Sequence, residues 1–559
     1  MKKLFFLSLI LATGFNAFCQ DNYYPVGSPV YHWLDRNDIS KNYFQKNVPS
    51  INQAGRISSA KNIEFVCLTG ISDSLKPQFL NSLNKPSYFR IENLDDSLLS
   101  KRKLGNIYKY PAAFYAIKGD DYTIVVNPVI GFNVGYDAKD PKRKLFQNSR
   151  GAEIRGNIGG SKGVGFYSYF TDNQIRLPAF TGYYTDSLGV TPNELFWKKF
   201  KKTGSDFFQA RGYVTFSAAK YIHFQFGHDK NFIGSGYRSL ILSDFSPQYL
   251  FFKINTSIGK FNYQNLFTQF TDYSTITGNT LFNKKYGAFH RLGINVTRNL
   301  NIGLNEMIIF DRQQDSTGKS TGYDLNYLNP VIFYRAVESN LGSRDNAMVA
   351  LDFKWIFLRK FSLYGQFVLD EFVLKQIKND PDWWGNKYGY QLGMKYINVA
   401  DIKNFDLQVE YNRVRPYTYS HYRTSQSYSN FNQALAHPLG SNFSEWTGIL
   451  KYQVKEKIFL NLTQIYALKG SDYAVNGLNY GSNILRNYDT RQSSQAPFLQ
   501  GNKQQLMITS FTASYMLKHN LFIDANILYR NLTNSNLAPN TFVIGGGVRL
   551  NIPERKINY

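Results

Sequence analysis

Along most of the chain apolar and polar side chains alternate one by one, and the alternating segments come in pairs. A few turn residues join the two members of a pair, and long polar loops join one pair to the next. Period two with one apolar side marks a half-buried strand. Ile458, Leu460, Leu462, Tyr466 and Leu468 share one face and Phe459, Asn461 and Thr463 the other, directly after the turn Lys455-Glu456-Lys457. A second copy sets Leu521, Ile523, Ala525, Ile527 and Tyr529 against Phe522, Asp524, Asn526 and Arg530, entered through Lys518-His519-Asn520. The polar face predicts a wet lumen and the apolar face contact with hydrocarbon. Further tight turns near Gly160, Ala219, Gly259, Arg298, Arg359 and Asp401 bring the count to about eight hairpins, hence roughly sixteen strands. Tyr122 to Tyr136 precedes the first hairpin and Thr541 to Ile552 follows the last. The expected fold class is therefore all-β, a transmembrane antiparallel β-barrel of about 18 strands, an even number that keeps both ends of a bacterial barrel on the periplasmic side.

The pattern divides the chain into residues 1–20, 21–121 and 122–559. Lys2 and Lys3 precede the apolar run Leu4 to Phe15, which reads as a secretory signal cut near Cys19 or Gln20. Phe18 is too bulky for lipid attachment at Cys19. Residues 21–121 carry another texture, a small, partly helical periplasmic module. Ser28-Pro29 has the form of a helix start with Val30, Tyr31 and Leu34 on one face, Ile91, Leu94 and Leu98 repeat helical spacing, and Lys76-Pro77 before Phe79-Leu80 marks another short element. A flexible linker is the alternative, and Trp33 with the apolar stripes argues against it. Cys67, alone once the signal is removed, sits in an apolar run as a small buried hydrophobe. The remainder, 122–559, is the barrel, with long loops at Tyr273 to Tyr286, Asp311 to Asn326, Lys375 to Tyr388, Arg413 to Glu445 and Lys469 to Gln504 on the extracellular side.

Composition agrees with a barrel. Aromatic residues make up 16% of the chain, which suits interfacial girdles, and a mean hydropathy of −0.36 excludes a helical membrane protein. The formal net charge of +24 is spread along the chain. In an exported protein it points to lipopolysaccharide and anionic polysaccharide rather than nucleic acid, or to lysines that solvate loops and turns.

Catalytic chemistry finds no foothold. The 7 histidines have no second ligand at metal-binding spacing, no G-x-S-x-G elbow occurs, and Gly234-Ser235-Gly236 lacks the lysine and helix of a phosphate loop. The adjacent Asp370 and Glu371 point to opposite faces of a strand and cannot share a substrate. The expectation is a non-enzymatic protein with no catalytic residues, no metal and no cofactor. Four segments nevertheless concentrate charged and aromatic groups: Phe226 to Ser243, Asn329 to Asn346, Arg413-Val414-Arg415-Pro416-Tyr417-Thr418-Tyr419-Ser420-His421, and His437-Pro438-Leu439-Gly440-Ser441-Asn442.

In this order the four segments, with the opening Pro25 to Asp35, resemble the outer-membrane capsule-assembly family typified by Wzi. They are closer still to its Bacteroidetes relatives, some labelled gliding-motility protein RemB. The resemblance implies an eighteen-stranded barrel with a small periplasmic helical bundle. It also implies a lectin-like role without catalysis, in which outer loops bind or anchor capsular polysaccharide and support capsule assembly. The implied setting is the outer membrane of a Gram-negative cell, with the protein acting as a monomer. Asp229, Lys230, Arg238, Arg344, Asp345, Asn346, Arg415, Tyr417, Tyr419 and His421 fall in the matching motifs. As polysaccharide contacts, Arg238, Arg344 and Arg415 would make charge-assisted hydrogen bonds to uronate or phosphate groups, and Tyr417 and Tyr419 would stack on sugar faces. The other reading of the same residues is a lumen network that closes the barrel. A passive channel and a gliding-motility surface protein are the alternative functions.

Overall fold

The computed structural model describes residues 22–23, 25–28, 30–44, 57–58, 106–110, 113–159, 163–195, 197–219, 221–273, 282–311, 322–330, 334, 341–342, 345–371, 373–472, 477–518, 520–534 and 540–559. The expected signal 1–20, Cys67, the Lys76-Pro77 element, the stripe of Ile91, Leu94 and Leu98, the turn residue Gly160, His519 and the candidate Arg344 lie outside the described residues.

The alternating segments form an 18-strand antiparallel barrel. In chain order the strands are β1 (Tyr122–Asp137), β2 (Leu145–Ile158), β3 (Val164–Arg176), β4 (Gly204–Ala219), β5 (Ile222–Asp229), β6 (Tyr249–Ile258), β7 (Phe261–Asp272), β8 (Asn283–Asn295) and β9 (Leu300–Phe310). They continue as β10 (Asn346–Phe357), β11 (Phe361–Glu371), β12 (Lys387–Tyr396), β13 (Phe405–Val414), β14 (Phe443–Lys455), β15 (Ile458–Ser471), β16 (Asn502–Lys518), β17 (Leu521–Leu532) and β18 (Thr541–Leu550). Each strand pairs with the next, and β18 returns to β1 in the register Val548↔Phe132. Closure leaves no sheet edge, the condition for strands to cross hydrocarbon.

The two faces separate as the alternation requires. Tyr466, Ile523, Ile527, Ile544 and Phe132 point outward and are exposed, while Thr463, Asp524, Arg530 and Thr512 point inward and are buried. Two features depart from the expectation. β18 stops at Leu550 because Asn551 takes a left-handed φ of 53° and Pro553 follows. The segment after it folds back into the barrel, where Asn551 Nδ2 donates to the Pro128 carbonyl at 2.8 Å and Tyr559 packs on Tyr184 and Phe245. Nor is the lumen simply wet. Leu240, Ile241 and Leu242 lie fully buried there against Val414, Tyr419, Tyr428 and Phe443, because a long loop enters from the long-loop end and brings its own apolar core.

The opposite, short-turn end holds the helix α1 (Val30–Lys41), which starts just after Ser28-Pro29. Asp35 on α1 bonds both Lys354 and Lys395, the latter at 2.6 Å. Arg36 pairs with Asp406 and donates to Asn398 at 2.9 Å. Ile39 and Phe44 pack on Ile356 and Ile397. Burying charge is tolerated because each charge finds its opposite.

The lipid-facing assignment predicts that Leu351→Arg, at an exposed mid-strand position of β10, costs about 2–4 kcal/mol of folding stability. Reversible urea unfolding in lipid vesicles measures it.

Candidate functional site

Two long loops build the plug. The β5–β6 loop (230–248) crosses the lumen and is tied to the wall at Glu410 on β13. That carboxylate accepts hydrogen bonds from the backbone of Tyr237 at 2.7 Å and of Arg238 at 3.1 Å, and from the Tyr364 hydroxyl at 2.9 Å. The loop approaches so closely that a Cβ on Gly234, already at φ +146°, would lie 2.6 Å from Gln366 Nε2. Only glycine takes that backbone conformation without strain. The β13–β14 loop (415–442) packs beside it: Tyr419 Oη donates to the Leu240 carbonyl at 2.8 Å and Tyr428 Oη to that of Ile241 at 2.6 Å. Glu445 on β14 joins the two loops through His437 Nε2 at 2.9 Å and Arg238 Nε at 3.4 Å.

The residues singled out from sequence are therefore brought together, but with protein around them. Arg238 adds a bond to the Asn558 carbonyl, and its pKa is raised. Burial opposes its charge, but Glu445, Tyr237 and Glu410 outweigh that cost. Arg415 Nε donates to Asn386 O at 2.8 Å and its Nη2 to Ala496 O at 3.2 Å, with burial lowering its pKa. Tyr417 Oη donates to Asn479 O at 2.9 Å, and burial pushes the phenol up to about 12. His421 is buried, and burial, followed by the Lys387 charge, lowers it from 6.5 to about 4. Asp345 accepts from Tyr327 Oη at 2.7 Å and Gln426 Nε2 at 3.1 Å, and Asn346 Nδ2 donates to the Gln426 carbonyl at 2.9 Å. Asp229 pairs with Arg211 at 2.5 Å, and Lys230 Nζ donates to the carbonyls of Asn193 and Asp244.

Tyr417 and Tyr419 also carry left-handed φ values of 64° and 73°. A tyrosine held there costs about 1–3 kcal/mol and persists only where its surroundings over-determine it. Here they do. Tyr417 N donates to Gly481 O, Tyr419 N to Asp370 Oδ2 at 2.7 Å, and Tyr428 N to Tyr419 O at 3.0 Å.

Above this plug the β11–β12 loop (372–386), the β13–β14 loop and the β15–β16 loop (472–501) meet. Trp384 N donates to Ser494 O at 2.9 Å and Ala496 N to Asp382 O at 2.6 Å, which pins the first loop to the last. Their aromatic side chains form a half-exposed cluster. The Trp384 ring centroid lies 5.8 Å from that of Trp383 and 5.1 Å from that of Tyr488, which is 6.3 Å from that of Tyr422. Arg491 Cζ sits 4.0 Å from the Trp384 centroid and Arg423 Cζ 5.6 Å from that of Tyr422. Beneath them Lys387 Nζ is 3.9 Å from the Tyr488 centroid and 3.2 Å from Glu371 Oε2. Half-exposed aromatic rings with guanidinium groups lying over them can offer apolar contact to the C–H face of a sugar ring and a fork to its carboxylate. Sequence reasoning placed all three of these loops among the long polar ones and chose residues only in the β13–β14 loop. The available signal was the Trp383-Trp384 pair inside a polar stretch. No three His, Cys, Asp or Glu side chains gather as a metal site among the described residues.

No protein-family model and no curated protein matches this chain. Among solved structures it is similar to Wzi, an outer-membrane protein involved in Group 1 capsule assembly in Escherichia coli and described as a carbohydrate-binding β-barrel. The identity is 13% and the TM-score 0.51, over 95% of this chain and 99% of that one. It is also similar to OprD of Pseudomonas aeruginosa, at 11% identity and TM-score 0.41 over 76% and 94% of the two chains. OccAB4 of Acinetobacter baumannii gives 10% identity and TM-score 0.40 over 78% and 98%. The likeness to Wzi establishes a shared fold, that of outer-membrane barrels.

Two outcomes follow from the plug geometry. Gly481→Ala, whose Cβ would lie 2.5 Å from Tyr417 N at φ +77°, loosens the 415–442 loop by about 1–3 kcal/mol, measured as faster amide exchange there. His421 has a folded pKa below its unfolded value, so the unfolded loop takes up the proton first. The His421 contribution to loop stability is full above about 6.5 and is lost as pH falls toward about 4. Amide exchange followed across that range shows the loss, and His421→Asn removes the His421 share of it.

Proposed function

We propose that this protein is a non-enzymatic outer-membrane barrel that binds anionic surface polysaccharide and supports capsule assembly. In this reading residues 1–20 are removed on export, residues 21–121 form the periplasmic module, and the 122–559 barrel acts as a monomer with its long loops outside the cell. The observation that carries the reading is the aromatic and guanidinium cluster around Trp384, Tyr488, Arg491 and Arg423, held on pinned loops above a filled lumen. A polymer too large to enter the barrel meets a preformed surface there, so little ordering entropy opposes binding. The shared fold with a barrel described as carbohydrate-binding supports the same reading.

Within it, Arg238, Asp345, Asn346, Arg415, Tyr417, Tyr419 and His421 are positioning residues for the loops, and the direct contacts are the half-exposed rings and the guanidinium groups above them. Negative charge on the glycan fits the formal net charge of +24.

Binding of purified acidic capsular polysaccharide to the detergent-solubilised protein tests this. Trp384→Ala and Arg491→Gln each weaken it by about five- to tenfold, the effect of one stacking or charge-assisted contact, and Lys457→Ala in a short turn leaves it unchanged. Equal affinity for all four proteins contradicts the proposal.

A further inference from the structure

The outer wall of β1–β4 changes character toward the long-loop end. Register partners share a face, so the row Ile130↔Arg150↔Asp172↔Phe208 is outward, as its exposed members Ile130 and Phe208 indicate. From this row toward the short turns, the outward positions of β2–β4 are mostly apolar or small, among them Ile154, Phe170, Ala210 and Val214. Toward the long loops they include Asn148, Gln174, Arg176 and Asp206. A change of this kind marks where hydrocarbon ends on a barrel wall. On β1 the apolar face runs on past the row, with Phe132, Val134 and Tyr136 exposed.

Above that boundary cations gather. Lys139, Lys142 and Lys144 in the β1–β2 loop (138–144) are exposed, as are Lys198, Lys199, Lys201 and Lys202 at the end of the β3–β4 loop (177–203). The fold brings the two groups together. Arg143 Nε donates to the Leu177 carbonyl at 2.7 Å and Arg176 Nη1 to the Lys144 carbonyl at 3.2 Å, which ties the first loop to the end of β3. The Phe146 and Phe200 ring centroids are 6.0 Å apart, with Arg176 Cζ 5.2 Å from the first and Lys201 Nζ 5.3 Å from the second. Acids are fewer. Asp172 is held by Arg150 at 2.9 Å, Asp206 accepts from Gln174 Nε2 at 3.2 Å beside its register partner Lys198, and Asp137, Asp140 and Asp186 lie near Arg143. Ten cationic side chains on these segments face five acidic ones. The excess positive charge sits directly over an apolar wall.

We propose that this rim binds the phosphorylated glucosamine headgroup of lipopolysaccharide, with its acyl chains lying along Phe132, Val134 and Tyr136. Lysine ammonium groups are point charges on flexible stems and suit phosphate in any rotation. Basic side chains beside a membrane gain from anionic headgroups because hydrocarbon contact and charge act on one molecule. A free phosphate would leave the apolar wall unused, and a neutral lipid would leave the lysines so. The proposal rests on the long loops lying outside the cell, and its residues are separate from the polymer surface around Trp384.

Titration of the full-length protein in detergent with diphosphoryl lipid A, read by native mass spectrometry as lipid retained, tests this. The expected affinity falls by about threefold or more for monophosphoryl lipid A, and by at least about tenfold for glucosamine 6-phosphate, which has no chains. Lys142→Gln, Lys144→Gln and Lys201→Gln together weaken diphosphoryl lipid A by about tenfold or more. The charge-matched triple Arg359→Gln, Lys455→Gln and Lys518→Gln at the short-turn end leaves it unchanged. Heat-modifiable gel migration verifies that each variant is a folded barrel. Equal retention by the rim triple and the unsubstituted protein, an equal loss in the short-turn triple, equal affinity for the two lipid A forms, or glucosamine 6-phosphate bound as tightly as lipid A overturns the proposal. So does a rim triple whose affinity for acidic capsular polysaccharide falls as far as its affinity for lipid A, since the lysines would then belong to the polymer surface. Polymer binding through Trp384 and Arg491 is measured with polysaccharide alone and stands or falls on its own.

Discussion

Closing eighteen strands in hydrocarbon satisfies the backbone but encloses more space than strand side chains fill. The contents of that space determine the rest of this protein. The β5–β6 loop crosses it with Leu240, Ile241 and Leu242 fully buried, and the β13–β14 loop packs Tyr419 and Tyr428 against them. A plug of this kind carries backbone amides and charges into a low-dielectric interior, where each unpaired group is costly. Glu410 and Glu445 on the barrel wall meet that demand, Glu410 by accepting from the β5–β6 loop and Glu445 by accepting from both loops at once. The wall and the plug thus form one hydrogen-bonded body.

Rigidity at the long-loop end follows from the plug. Residues 373–386 and 477–501 rest on a filled lumen, joined by Trp384 N to Ser494 O and by Arg415 to the carbonyls of Asn386 and Ala496. The strained φ of Tyr417 and Tyr419 fits the same logic, since only a scaffold bonded from several sides holds tyrosines there. Binding surfaces benefit from such preorganisation because the entropy of ordering is spent on folding instead of on ligand capture.

The strands were legible because the barrel imposes its two-residue period on every one of them, as Tyr466 against Thr463 and Ile523 against Asp524 illustrate. Short turns at Gly259, Arg359 and Lys457 were legible for the same reason: alternation halts there and restarts within a few residues. The plug was not. Polar loops that enter a polar lumen have the composition of loops that stay in water, so Gly234 to Leu242 stood out as unusual without revealing direction. Arg415 illustrates the consequence. Its charge in an aromatic motif reads equally as a ligand contact or as a brace, and only the neighbouring carbonyls distinguish the two. The Trp384, Tyr422 and Tyr488 cluster draws on three separate loops, a proximity that no local pattern encodes. The end of β18 was missed by two residues because Ile552 keeps the alternation after Asn551 has already turned the chain.

The filled lumen is the claim on which this account rests, and ion conductance of the purified barrel in a planar lipid bilayer tests it most directly. Incorporation without large, steady current steps is the expected result. Long-lived steps of the size given by open general porins would show that the loops do not occupy the interior, and would contradict the account.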